Sequence, residues 1–272
     1  MTDTQVRTFP LMTAVRDVQG RTDTRRLAID QVGIRGLRHP IVVQDRARGV
    51  QHTIATSSIY VDLPHDRKGI HMSRCVELLG RHEAVLSVSS FARMLQDATG
   101  FLEASASHIS LSFPFFVQKK APVSKILSRM DYQASIEGEH RFGVTEVRLK
   151  VVVPVTSLCP CSKEISDYGA HNQRTHITIT ARAGAGLWLE NLIDVAESEA
   201  SCDLYSVLKR PDEKYVTERA YDNPKFVEDI VRDVAAALKQ TRDVLSFVVE
   251  SENFESIHNH SAYALLRDDG RR

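Results

Sequence analysis

The sequence predicts an α+β protein built on antiparallel sheet, with its helices grouped together rather than alternating with parallel strands. Three observations predict it. Segments rich in Ile, Val and Thr alternate as strands, helical periodicity falls in two groups between them, and the order strand–strand–helix–helix–strand–strand occurs twice along the 272 residues.

In the first half, 31–44 and 53–63 read as strands, followed by a short helix near 71–79. A second helix begins after Ser87, where Val88, Phe91, Ala92, Leu95, Ala98 and Leu102 recur at helical spacing. Strands at 108–117 and 128–136 complete the set. The second half opens with strands at 145–155 and 176–183. Across 187–208 the stripe Trp188, Leu192, Ala196, Ala200, Leu204 and Leu208 reads as one face of a long helix that Pro211 helps to end. Asn223-Pro224 reads as N-cap and first helical residue of another, whose buried face is Phe226, Val227, Ile230, Val231, Val234 and Leu238. Strands at 244–251 and 261–266 close the chain. The expected organisation is a mobile N-terminal arm over 1–28 and two modules, 29–140 and 141–272, alike in element order but not in sequence.

Composition narrows the function. Thirty-five Lys and Arg balance 35 Asp and Glu, so the basic surplus of a nucleic-acid binder or polybasic membrane module is absent. No apolar run approaches the ~18 residues of a membrane helix, and the N-terminus has no apolar core of a secretory signal. Four cysteines are too few for a disulfide scaffold and predict a reducing, cytoplasmic setting.

Three segments are dense in chemistry. In the stretch from Thr156 to Arg174, Pro160 presents Cys159 and Cys161 on either side of a turn, and His171 follows twelve residues after Cys159. A thiolate and an imidazole so spaced can share one cation, although small cysteines also simply pack. From Glu252 to His260, two carboxylates and two histidines lie between apolar strands. His258 and His260 fall on one side of an extended chain, an arrangement suited to proton transfer or to a plain polar turn. From His65 to Arg74, the cations Arg67, Lys68 and Arg74 flank Gly69 where a strand gives way to a helix. This suits a polyphosphate or carboxylate, or a solvated charge run. Glu213, in Arg210–Lys214, reads as part of a solvated loop between helices.

Together these segments resemble the type IB GTP cyclohydrolase I family, through DRKGIHMSR at 66–74, TSLCPCSKEISDYGAHNQR at 156–174 and SENFESIHNHSAYA at 251–264. The resemblance implies two tandem tunnelling-fold modules, each an antiparallel sheet with helices on one face, assembling into an oligomeric β-barrel. A homotetramer with active sites at subunit interfaces is expected. The implied reaction opens the imidazole ring of GTP at C8, releases formate and yields 7,8-dihydroneopterin triphosphate, the first step of tetrahydrofolate biosynthesis. It implies a divalent metal (Mn, Fe or Zn) held by Cys159, His171 and Glu213, with Cys159, Glu255 and His258 catalytic. A carboxylate at Glu255 matches the N1–H and 2-amino donors of guanine, and Arg67, Lys68, Arg74 and Lys163 are the expected triphosphate contacts. Two rivals carry different expectations. A related NADPH-dependent nitrile reductase would use Cys159 as nucleophile, and a non-catalytic purine- or pterin-binding protein would keep the barrel and the metal as structure.

Overall fold

One antiparallel sheet of nine strands organises the chain, and the computed structural model describes residues 17–270 of it. The elements are β1 (Ile29–Asp45), β2 (Gly49–Leu63), α1 (Met72–Arg81), α2 (Val88–Leu102), β3 (Ala106–Lys120), β4 (Leu127–Arg141), β5 (Val144–Leu158), α3 (Pro160–Ile165), β6 (Asn172–Ala183), α4 (Leu189–Ser198), β7 (Cys202–Asp203), α5 (Arg210–Asp222), α6 (Val227–Gln240), β8 (Val244–Asn253) and β9 (Ala262–Asp268). The strands lie in the order β1-β2-β3-β4-β5-β6-β8-β9, and β7 adds a short rung on β5. The doubled order of elements is therefore present, with α3, β7 and α5 as additions to the second set.

Strand alternation decides which face is covered. Ala55, Ile59 and Val61 of β2, Ile109, Leu111 and Phe115 of β3, Val151, Val153 and Val155 of β5, and Ile177 and Ile179 of β6 all point to one buried face. The helices meet that face through Phe91 and Leu95 of α2, Leu192 and Ala196 of α4, and Ile230, Val234 and Leu238 of α6. Each large apolar side chain removed from water there contributes about 1.5–3 kcal/mol. The core is continuous from the first half to the second. The halves meet at a hairpin whose two turn residues, Phe142 and Gly143, have φ of 51° and 76°, the left-handed pair that tight hairpins require.

Within the expected arm, residues 1–16 lie outside the described residues. Residues 19–23 are tethered, with Lys68 N–H donating to Arg21 O, Gly69 N–H to Gln19 O and Asp23 N–H to Asp66 O. Among the described residues no helix is long and apolar enough to cross a membrane.

The structure corrects the reading of 187–222. The apolar stripe does not continue as a helix to Leu208. Helix α4 stops at Ser198, because Cys202 and Asp203 leave helical geometry to pair with Thr156 and Val155 of β5. Pro211 begins a helix instead of ending one, in the first turn of α5 where its missing N–H costs nothing. Residues 210–214 are thus helical and not a loop. Asn223 closes α5, its side-chain amide donating to Ala200 O at 2.8 Å. Helix α6 is capped from Phe226, whose N–H is accepted by Asp229.

Candidate active site

Cys159 stands at the junction of β5 and α3. Pro160 fixes the first helical residue, Cys159 is the N-cap, and its Sγ accepts the Ser162 N–H at 3.4 Å. The return strand closes the turn. Cys159 N–H donates to His171 O at 3.1 Å, and His171 N–H donates to Ser162 Oγ at 3.2 Å. The twelve-residue spacing therefore becomes a closed loop that brings the two residues together at the mouth of β5 and β6. Both are half-buried, whereas Cys161 is exposed. The other two cysteines are buried, and burial raises both thiols, Cys202 to about 11 with Asp203 adding to the effect. That leaves Cys159 as the partly covered thiol beside a histidine.

The third segment meets this pair. Residues 254–261, between β8 and β9, are anchored by Phe254 N–H donating to Arg174 O at 2.9 Å and by the edge of Phe254 against His176 at 4.8 Å. Ser256 Oγ then lies 3.3 Å from His171 Nδ1. Glu255, half-buried, immediately precedes it, and His258 follows two residues later. The rings of His258 and His260 stack at 5.2 Å with 17° between planes, both exposed. His171 and the histidine-bearing loop thus form one locus.

Behind His171 lies a buried polar network that the sequence did not single out. His171 Nδ1 is 3.0 Å from Gln173 Oε1, and Gln173, Ser157, Thr175 and Asn253 form a hydrogen-bonded group beneath it. The available signal was the strand alternation that turns Gln173 and Thr175 to the covered face.

Glu213 sits in the first turn of α5, exposed, with its N–H donating to Lys209 O. It shares a helix face with Val216 and Ala220 by i+3 and i+7 spacing, and those two pack with Cys202 under Leu158, the residue before Cys159. Two turns separate it from Ala220, about 10 Å along the axis. Among the described residues, no three His, Cys, Asp or Glu side chains stand together as a metal cage. Cys159 and His171 supply a borderline-soft S and N donor pair that fits a divalent ion, with His171 Nε2 left uncommitted.

The expected phosphate cations are placed separately. Arg67 and Arg74 grip one carboxylate, Glu103, at 3.2 and 2.9 Å, and Arg74 also stacks on Phe101. Lys68 is exposed near Asp23. Lys163 lies in α3 beside the thiols, bonded to the carbonyl of Tyr221 and 4.2 Å over its ring. The isolated histidines have local partners: His82 with Asp97, His108 with Glu139, and His140 with Thr145.

A half-buried thiol and an imidazole stand at the end of adjoining antiparallel strands, met through Ser256 by a loop that bears two further imidazoles, and they define an α+β protein with a thiol–imidazole site. The fold is shared with uricase from Arthrobacter globiformis, at a TM-score of 0.57 and 8% identity over 89% of this chain and 95% of that one. It is shared equally with urate oxidase from Bacillus sp. TB-90, at 0.54 and 7% over 88% and 99%. The family model described as type I GTP cyclohydrolase folE2 matches residues 15–264. GTP cyclohydrolase FolE2 of Nitrosococcus oceani is 59% identical over 93% of this chain and 94% of its own length. That of Methylobacillus flagellatus is 57% identical over 97% and 99%. This chain belongs to the type I GTP cyclohydrolase folE2 family.

Proposed function

We infer that the chain is a GTP cyclohydrolase I that hydrolyses the imidazole ring of GTP at C8, releasing formate and forming 7,8-dihydroneopterin triphosphate. Family membership at this identity over nearly the full length supports the activity, and the two relatives described above are named for it and for neither rival. The observation that carries the site is the meeting of Cys159, His171 and the Glu255–His258 loop through the 3.3 Å contact of Ser256 with His171.

We propose Cys159, His171 and Glu213 as the ligands of a divalent cation (Mn, Fe or Zn). When bound, such a cation supplies Lewis acidity that brings deprotonation of an attacking water near neutral pH. His171 would present Nε2 to it, since Nδ1 faces Gln173 and Ser256. His258, exposed on the loop between β8 and β9, would donate a proton to the ring nitrogen and later to the departing one. Glu255 would accept the N1–H and 2-amino hydrogens of guanine, a donor pair adenine lacks. Lys163, with Arg67, Lys68 and Arg74, would hold the triphosphate. Arg67 and Arg74 contact first-half residues, so their approach to the Cys159 locus is assigned to a second subunit. The sheet, open at β1 and β9, would join copies of itself into a barrel, in a homotetramer of the cytoplasm built from modules 29–140 and 141–272.

Incubating the purified protein with GTP and Mn²⁺, then measuring formate and the fluorescent oxidised pterin, tests the activity. Appearance of both, lost in Cys159→Ala and His258→Ala proteins that remain folded, is expected. Their absence across Mn²⁺, Fe²⁺ and Zn²⁺ would reject it, and oxidation of NADPH with a nitrile substrate would favour the reductase instead.

A further inference from the structure

We propose that Gln173 is a positioning residue that fixes the neutral His171 ring with its proton on Nδ1, and that a one-way chain of hydrogen bonds from the Lys225 carbonyl enforces this. The consequence for metal binding rests on the reading of His171 as a ligand. The tautomer itself does not.

The chain is directional at each link. The Lys225 carbonyl can only accept, and Ser157 Oγ spends its single hydrogen on it at 3.0 Å. Ser157 then has only lone pairs to offer. It accepts N–H groups from Gln173 Nε2 and Asn253 Nδ2, both at 3.4 Å. The Asn253 amide is oriented by the same acceptor, since turning it over would set Oδ1 against the Ser157 lone pairs; in this sense its Oδ1 takes the Thr175 hydroxyl hydrogen at 2.8 Å. With the amide nitrogen of Gln173 committed to Ser157, its Oε1 faces His171 Nδ1 at 3.0 Å. Two acceptors cannot share that contact, so Nδ1 carries the hydrogen. Ser256 Oγ, 3.3 Å away, is a second acceptor for the same hydrogen, since a hydroxyl is free to rotate.

Burial gives the chain its authority. Ser157 and Thr175 have no exposed surface, Asn253 keeps 3% and Gln173 7%. Inverting the Gln173 amide would set acceptor against acceptor at Ser157, where water cannot repair the mismatch. The lone pair is therefore on Nε2, the form in which imidazole ligates a metal while its other nitrogen donates to a fixed acceptor.

The test is side-chain nitrogen–proton correlation spectroscopy of metal-free protein labelled with ¹⁵N-histidine, at a pH where the imidazoles are neutral, with His171 assigned by its loss in His171→Ala. Mn²⁺ and Zn²⁺ affinities follow from chelator competition on the same proteins. The expected wild-type pattern is Nδ1–H. Gln173→Leu should give mixed tautomers and bind metal roughly 10- to 100-fold more weakly, whereas Gln173→Glu, which keeps an acceptor on Nδ1, should retain the Nδ1–H pattern. Ser157→Ala, which frees the amide without touching Gln173, should also give mixed tautomers and decides the matter if Gln173→Leu does not fold. An Nε2–H pattern in the wild type, or an unchanged Nδ1–H pattern in both Gln173→Leu and Ser157→Ala, overturns the proposal. Metal affinity unchanged in His171→Ala would instead refute the ligand assignment and leave the tautomer result standing.

Discussion

Lys119 Nζ, at the end of β3 in the first half, lies 2.7 Å from Asp203 Oδ2 in β7 of the second. The same ammonium is 2.8 Å from Glu197 Oε1, which also accepts the Tyr132 hydroxyl at 2.6 Å, and all three charged side chains are largely buried. Burial pushes the Glu197 carboxyl upward against the pull of Lys119. Replacing Lys119 with Met strands Glu197 in the interior and leaves Asp203 only Arg219 at 3.6 Å, so a loss of about 3–5 kcal/mol in unfolding free energy is expected from urea titration. A loss under about 1 kcal/mol would mean that water already screens the cluster.

Asp212 fixes the start of α5. Its Oδ1 accepts the N–H groups of Val123 and Ser124, each at 2.8 Å, and its Oδ2 accepts the Ser124 hydroxyl and the Lys209 N–H. The helix that carries Glu213 is thus tied to the β3–β4 connection. Asp212→Ala should lower the denaturation midpoint and weaken Mn²⁺ binding in chelator competition. Ser124→Ala, which removes one of the four bonds, should do both to a smaller degree.

Asp62 predicts a pH dependence. Burial raises its carboxyl, but the Ser105 hydroxyl and the N–H groups of Ala106 and Ser105 outweigh that and hold it below 3.8. A carboxyl lowered by folding adds stability that is complete above its unfolded value and is lost as pH falls through the folded one. The wild type should therefore lose stability below about pH 4 more steeply than Asp62→Asn. Equal slopes in acid denaturation would remove Asp62 from the account.

Charge reversal at Lys68 examines the triphosphate assignment. Lys68→Glu should raise KM for GTP roughly tenfold or more, the worth of one charge-assisted contact, with kcat nearly unchanged. Glu103→Gln frees Arg67 and Arg74 from their shared carboxylate and should change KM without altering the fold. An unchanged KM in Lys68→Glu excludes that residue from the site.

Most of the architecture was legible because eight strands and three helices announce themselves by periodicity. Ser87 is the clearest local signal: its hydroxyl accepts the Ser90 N–H and opens α2 where the sequence placed it. The failures cluster in 187–222 for a common reason. The i+4 stripe from Trp188 persists beyond the helix because Ala200 and Leu204 pack on the core from either side of the β7 rung to Thr156, not by helical geometry. Helix α5 was hidden because only Val216 and Ala220 of its residues meet an apolar neighbour. At the site, the Cys159–His171 loop was readable as spacing. The buried partners of His171 come from β5, β6 and β8, and only pairing across the sheet brings Ser157, Gln173 and Asn253 to one place.

The Phe142-Gly143 turn is the only covalent joint between two sets of strands whose β4–β5 rungs run from Arg141↔Val144 to Gln133↔Val152. With Phe142 83% exposed, the peptide there is open to a protease. A nick should leave fragments held together by a ladder and a common core, and separately expressed halves should find each other. The cohesion of the whole would then reside in the ladder and the shared core, and not in the peptide that closes the turn.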